Sequence, residues 1–180
     1  SVFEKFMEAL EPVVKAVKVG DPSLSGTEVG PLVSKQHREN VSSFLEGADV
    51  AFRGSAPTGK GFWFAPTVVL AKSPTDKCMA EEIFGPVVTV YPFETEQEAI
   101  ELANGTEYGL SGSIWTRDLG RGIRVSREVQ SGNLSVNSHS SLRYHTPFGG
   151  MKQSGMGREL GPDAPLHFTE EKVVFFNQDN

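Results

Sequence analysis

A single cysteine, Cys78, stands in 180 residues, and one thiol can close no internal disulfide. That usage suits a reducing cytoplasm. No apolar run approaches the roughly 20 residues that a membrane-spanning helix needs, and the N-terminus lacks the basic-then-apolar pattern of a secretory signal. Basic charge is scarce as well: 17 Lys and Arg against 23 Asp and Glu give a net charge of −6. That balance argues against a nucleic-acid partner and against an anionic membrane surface. There is no internal repeat and no low-complexity tract. The composition that remains, 38% hydrophobic and 22% charged, is ordinary for a globular protein. The length suits one domain, with room for an extension, and allows a sizeable core.

The hydrophobic pattern alternates between helix and strand periods. Phe3, Phe6, Met7, Leu10, Val13, Val14 and Val17 fall at helical spacing, Ser1 and Glu4 match a capping box, and Pro12 is expected to kink or split this helix. A second helix is expected from Ser34 to Ala48. His37 shares a side of it with Val41, Phe44 and Leu45, and a lone His on such a face is read as a satisfied packing residue. Short strands are expected at Asp49–Arg53, Thr67–Leu70, Val87–Tyr91, Ser111–Thr116 and Asn133–Asn137. Thr95 and Glu98 cap a helix that Asn104-Gly105 ends, and Asp118 opens another that runs to about Gln130. The alternation predicts an α/β fold: a mainly parallel open sheet with flanking helices. Lys172–Asn177 reads as a terminal apolar strand without a later partner, which invites pairing with another chain.

Several stretches carry chemical suggestions. Gly54-Ser55-Ala56-Pro57-Thr58-Gly59-Lys60-Gly61 imitates a phosphate-binding loop, but Gly61 replaces the magnesium-binding Ser or Thr. The extended Phe62-Trp63-Phe64 follows where a helix is required, so the loop is read as an exposed connection between strands. Arg117, Arg121, Arg124 and Arg127 line one helix side and read as a solvated basic face. Gly155-Met156-Gly157-Arg158 starts like a dinucleotide fingerprint but lacks its third glycine and its preceding strand. His139 and His145 fall in an aperiodic loop, Ser138–Thr146, and read as solvent-exposed. In Glu81-Glu82-Ile83-Phe84-Gly85-Pro86-Val87, a Gly-Pro turn leads into a strand. A carboxylate there can accept two sugar hydroxyls and an aromatic can pack on a flat ring. A helix cap with an aromatic plug fits the same spacing.

Pro147-Phe148-Gly149-Gly150-Met151-Lys152-Gln153-Ser154-Gly155, followed by Gly157-Arg158-Glu159, resembles a signature of the NAD(P)-dependent aldehyde dehydrogenase family. Glu81–Val87 looks like a second motif of that family, in the right order and at a plausible distance. Asn104, Tyr108-Gly109-Leu110, Gly132 and Val136-Asn137 also fit its pattern. The resemblance runs the length of the chain and implies the C-terminal part of that family's catalytic region. It implies a catalytic domain over 1–165 and an oligomerisation strand over 166–180, which would make a homo-oligomer. It implies NAD or NADP as cofactor, bound mainly by a domain not in this chain, and an aldehyde as substrate.

By the same resemblance Glu82 meets the nicotinamide-side ribose hydroxyls and Phe84 packs beside that part of the cofactor. Phe148 lines the aldehyde channel with Leu142 and Tyr144 nearby, while Lys152, Arg158 and Glu159 are structural. Cys78 lies just before the Glu-Glu-Ile-Phe-Gly-Pro motif, whereas the family's nucleophile lies earlier, and no His or Lys close in sequence activates it. It is not read as the nucleophile. With that thiol, the general-base Glu and the oxyanion-stabilising Asn all missing, the chain is expected to be inactive alone. A non-catalytic binding or assembly module is the alternative. No metal site is expected.

Overall fold

The computed structural model describes residues 2–139 and 142–178. The chain forms two compact units, Ser1–Glu94 and Thr95–Asn180.

The first unit begins with α1 (Phe3–Ala16). This helix is continuous, so Pro12 does not split it; near its end Pro12 only withholds one N–H from the Glu8 carbonyl. The expected capping box lies partly outside the described residues, since Ser1 is its first member. The next helix, α2 (Lys35–Ser43), starts as expected, with the Ser34 hydroxyl accepting from the His37 amide at 3.0 Å. It stops five residues short of Ala48. Phe44, Leu45 and Glu46 turn with i to i−3 bonds instead, and Gly47 takes a φ of 75° that ends the helix.

Strands β1 (Asp49–Arg53), β2 (Thr67–Leu70) and β3 (Val87–Val90) form one sheet in the order β1-β2-β3. β1 runs antiparallel to β2, with an irregularity between Val50 and Phe52, and β2 runs parallel to β3. The central strand explains its own sequence. β2 is covered on both faces, so Thr67-Val68-Val69 is continuous rather than alternating. Val41, Val68 and Val69 are buried, and burial of a side chain of this size stabilises by about 1.5–3 kcal/mol at most. A single turn, α3 (Lys77–Ala80), lies between β2 and β3.

The second unit opens with α4 (Glu96–Asn104), where Thr95 accepts from the Glu98 amide at 3.1 Å. β4 (Ser111–Ile114), α5 (Leu119–Glu128) and β5 (Asn133–Val136) follow as a strand, helix and parallel strand. Asp118 caps α5 by accepting from the Arg121 amide. A glycine in a helix interior normally weakens it, but Gly122 is buried where a Cβ would lie 3.2 Å from Val136 Cγ1. The glycine therefore buys close approach of α5 to β5.

Parallel pairing predominates, as the α/β reading requires, although the strands fall into two sheets rather than one. Beyond two short 3-10 turns, Lys152–Ser154 and Ala164–Phe168, the described residues up to 178 carry no ladder. Lys172–Asn177 is thus not a strand here. Among the described residues no strand pairs with this segment in a ladder.

Candidate functional site

The Glu81–Val87 segment leaves α3 and enters β3, and its middle is gripped by α2. Phe84 adopts a φ of 55°, an uncommon conformation for a bulky residue that costs of order 1–3 kcal/mol. Its carbonyl accepts a hydrogen bond from His37 Nε2 at 2.7 Å. The two rings lie 6.0 Å apart, tilted by 40°. One residue on, Gly85 packs against Val41, where an added Cβ would sit 2.7 Å from Val41 Cγ1. The Pro86 carbonyl then accepts from the Thr67 amide at 2.9 Å, tying the turn to β2.

The backbone is held while the side chains face outward. Phe84 is 75% exposed. Glu82 is exposed, and its carboxylate has no hydrogen bond or ion pair with the described residues. Both oxygens are therefore open to a ligand. The helix-cap reading of this motif is not what the backbone adopts, because the segment leads into a strand.

The glycine-rich segment of the second unit is knit to the loops around β4 and β5. Phe148 and Glu159 exchange backbone hydrogen bonds of 2.7 Å in both directions. The Asn133 amide group donates to the Gly149 carbonyl at 2.9 Å. A Cβ on Gly132 would fall 1.8 Å from that same carbonyl oxygen, so only glycine fits there. Lys152 donates from Nζ to the Asn104 and Thr106 carbonyls at 2.9 and 3.0 Å. Arg158 donates to the Gly150 and Gly157 carbonyls, and Ser154 accepts from the Gly109 amide. Lys152 and Arg158 thus spend their charge on backbone carbonyls.

The Phe148 side chain is partly exposed, while Leu142 and Tyr144 are exposed, Tyr144 to 86%. His139 and His145 are exposed as well. Ser140 and Ser141 of the same loop lie outside the described residues. The candidate residues thus fall into two sets: Glu82 and Phe84 in the first unit, and Leu142, Tyr144 and Phe148 in the second.

Cys78 lies on α3, partly buried, with its thiol donating to the Phe44 carbonyl at 3.1 Å. Burial, and then the Asp76 charge, push the thiol pKa up despite Lys77. A protonated thiol turned to a carbonyl is a poor nucleophile. The arginine row is exposed, as expected of a solvated basic face, and two of its members also pair with a carboxylate. Glu96 of α4 accepts from Arg121 Nε at 2.9 Å and from Arg124 Nε and Nη2 at 3.0 Å. The Arg124 hydrogen bond, with Arg121, holds the Glu96 carboxyl below its usual range. In the phosphate-loop mimic no helix follows Gly61, and the Trp63 indole N–H donates to the Lys60 carbonyl at 2.8 Å. Among the described residues no cluster of His, Cys, Asp or Glu could hold a metal ion, and no helix is long and apolar enough to cross a membrane.

Two contacts escape sequence reasoning, His37 on Phe84 and Glu96 on Arg121 and Arg124. Each joins residues far apart in the chain, and no local pattern encodes either.

The chain is thus an α/β structure with an anchored, outward-facing Glu-Glu-Ile-Phe-Gly-Pro turn and a glycine-rich segment locked onto strand-end loops. Its kinship is specific. The Aldehyde dehydrogenase family profile matches residues 1–174, and the chain belongs to that family. It is 38% identical over 184 residues to a betaine aldehyde dehydrogenase of Brucella melitensis, covering 97% of this chain and 38% of that protein. A betaine aldehyde dehydrogenase point mutant from Staphylococcus aureus, in its apo form, aligns with a TM-score of 0.91 at 38% identity. Another point mutant of that enzyme, in complex with NAD+, aligns with a TM-score of 0.90 at 38% identity. Each of these structural alignments covers 99% of this chain and 38% of the other. The chain therefore spans well under half the length of the relatives it matches.

Proposed function

We propose that this chain is the C-terminal portion of the catalytic region of an NAD(P)+-dependent aldehyde dehydrogenase, which oxidises an aldehyde to a carboxylic acid through a cysteine thioester. The observation that carries the reading is the match of 97% of the chain to 38% of a betaine aldehyde dehydrogenase. NAD+ in the complex of a Staphylococcus aureus relative supports the choice of cofactor.

The open carboxylate of Glu82 and the exposed ring of Phe84, on an anchored backbone, fit a nicotinamide riboside. When bound, the cofactor supplies the hydride acceptor. Glu82 accepts hydrogen bonds from the ribose hydroxyls and Phe84 packs beside that part of the cofactor, which orients it. Phe148, Leu142 and Tyr144 line the aldehyde channel. The attacking thiolate and the general-base carboxylate are not assigned to this chain, so the 180 residues alone do not turn over. The catalytic portion is assigned to 1–165, and 166–180 is assigned to a strand that builds a homo-oligomer. The compartment is the cytoplasm.

The test is steady-state kinetics on the complete product of the gene that encodes this chain. Glu82→Gln removes a charged acceptor worth about 1.5–3 kcal/mol, so the KM for NAD+ rises roughly 10- to 150-fold. An unchanged KM removes Glu82 from the cofactor. NADH formation by the 180 residues alone, abolished by Cys78→Ala, overturns the claim of inactivity.

A non-catalytic assembly module is the second reading, favoured by Val173 and Phe175, which are 94% and 85% exposed. An immunoblot of source cells separates the two. A native band at 19.6 kDa favours the module, and a much larger one favours the enzyme.

A further inference from the structure

We infer that His37 is a positioning residue, holding the Phe84 turn in the orientation that presents Glu82 and Phe84 outward; this rests on the cofactor assignment proposed above. A carbonyl oxygen only accepts, so His37 Nε2 carries the proton in the 2.7 Å contact with Phe84. Neutral Nε2–H imidazole and imidazolium both satisfy that requirement.

The donor is itself well anchored. His37 lies in the first turn of α2, and its own amide is fixed by the Ser34 cap. Val41 follows four residues later on the same helix face. The adjacent residues Phe84 and Gly85 are therefore gripped by two residues one turn apart on one helix, His37 by hydrogen bond and Val41 by packing.

The backbone at Phe84 needs such a grip. At a φ of 55° a bulky residue relaxes to negative φ unless its surroundings hold it. Relaxation would rotate the peptide carbonyl, swing the Phe84 ring and shift the path of the neighbouring Glu82. A His that merely filled space would need no acceptor 47 residues away. The ring-to-ring contact adds little direction, since the planes meet at a tilt rather than in a stack. The hydrogen bond is what fixes the turn.

Three variants of the complete gene product separate donor from bulk: His37→Gln, whose longer amide reaches the carbonyl; His37→Asn, whose amide falls short; and His37→Leu, which fills space without donating. The readouts are steady-state kinetics with NAD+ and an aldehyde, and hydrogen–deuterium exchange of the peptide over residues 80–90. Loss of the bond raises the KM for NAD+ about 5- to 30-fold in the Asn and Leu variants. The KM for aldehyde stays unchanged, exchange over 80–90 quickens, and Gln restores both readouts.

Equal impairment of Gln, Asn and Leu overturns the inference, because bulk and not donation would then matter. Unchanged KM and exchange in Leu overturn it as well. If the wild-type product oxidises no aldehyde, the proposed function fails separately, and exchange alone decides whether His37 holds the turn. Quickened exchange in Asn and Leu with recovery in Gln supports that hold; exchange equal to wild type in all three refutes it.

Discussion

The contact between Gly85 and Val41 makes a quantitative claim about the motif's glycine. Gly85 is not in the left-handed region, so its role is space and not backbone freedom. A Cβ added there meets Val41 Cγ1 at 2.7 Å, Cγ2 at 2.9 Å and Cβ at 3.4 Å. Val41 is buried at 0% exposure, so its methyls have nowhere to turn. The strain must pass into α2 or into the turn. Overpacking of this kind costs about 1–3 kcal/mol. Val41→Ala alone removes two buried carbon atoms, about 1.6 kcal/mol by transfer, with a cavity contribution on top. In the double variant each change relieves the other, because the new Cβ occupies the space the methyls left. The double variant should therefore sit close to Val41→Ala in stability, with a favourable coupling of roughly 1–2 kcal/mol. Urea unfolding of wild type, both singles and the double measures that coupling. Simple additivity, or a Gly85→Ala protein as stable as wild type, would refute the claim that α2 fixes the turn by contact.

Gly132→Ala should be worse than Gly85→Ala, since its Cβ would meet the Gly149 carbonyl at 1.8 Å and backbone cannot step aside; a soluble variant with wild-type circular dichroism and melting would contradict this. Glu96→Gln should lower the melting temperature by loosening α4 from α5. The folded Glu96 pKa lies below its ordinary 4.5, so the stabilisation is present above that value and is lost as pH falls through the folded pKa. The melting gap between wild type and Glu96→Gln should thus be largest near neutral pH, close on acidification and shrink in high salt. A gap that ignores pH would argue against the ion pairs. Cys78 should alkylate more slowly near neutral pH than a free cysteine, because burial and Asp76 raise its pKa; alkylation at the free-thiol rate would show an open thiol.

What the sequence made legible was local. Ser34, Thr95 and Asp118 each sit where a short polar side chain can accept from an amide three residues on, and each does so. β1 and β2 were readable because their apolar and β-branched runs are bounded by Gly and Pro. The end of α2 was misjudged because Phe44 and Leu45 continue the apolar period past the last α-helical residue. Periodicity reports which side faces inward, and it does not report where i to i−4 bonding yields to i to i−3. The arginine row is exposed as read, but its carboxylate partner was not legible for a related reason. Its partner, Glu96, lies 25 residues before Arg121 and on another helix. The division of the strands into two sheets was likewise invisible, since each strand's pattern is satisfied by any partner of the right polarity.

The candidate site shows why a motif match alone cannot assign roles. A group that binds a ligand must keep its hydrogen-bonding capacity unspent, and one that holds backbone must spend it. Asn104 is engaged at both ends of its amide, donating to the Glu128 carbonyl and accepting from the Gln130 amide. Asn137 accepts from the Thr116 amide, and Lys152 gives its ammonium to two carbonyls. These family-pattern residues are polar and easily mistaken for ligand groups, yet recruiting any of them would break the loops they close. Glu82 is the opposite case: a carboxylate with no described partner, on a turn whose backbone is fixed from α2 and β2. Holding the backbone while leaving the carboxylate open avoids much of the ordering entropy that a flexible loop would lose on binding. That asymmetry, more than the identity of any residue, is the physical argument behind the proposal that Glu82 and Phe84, rather than the glycine-rich segment, meet the cofactor.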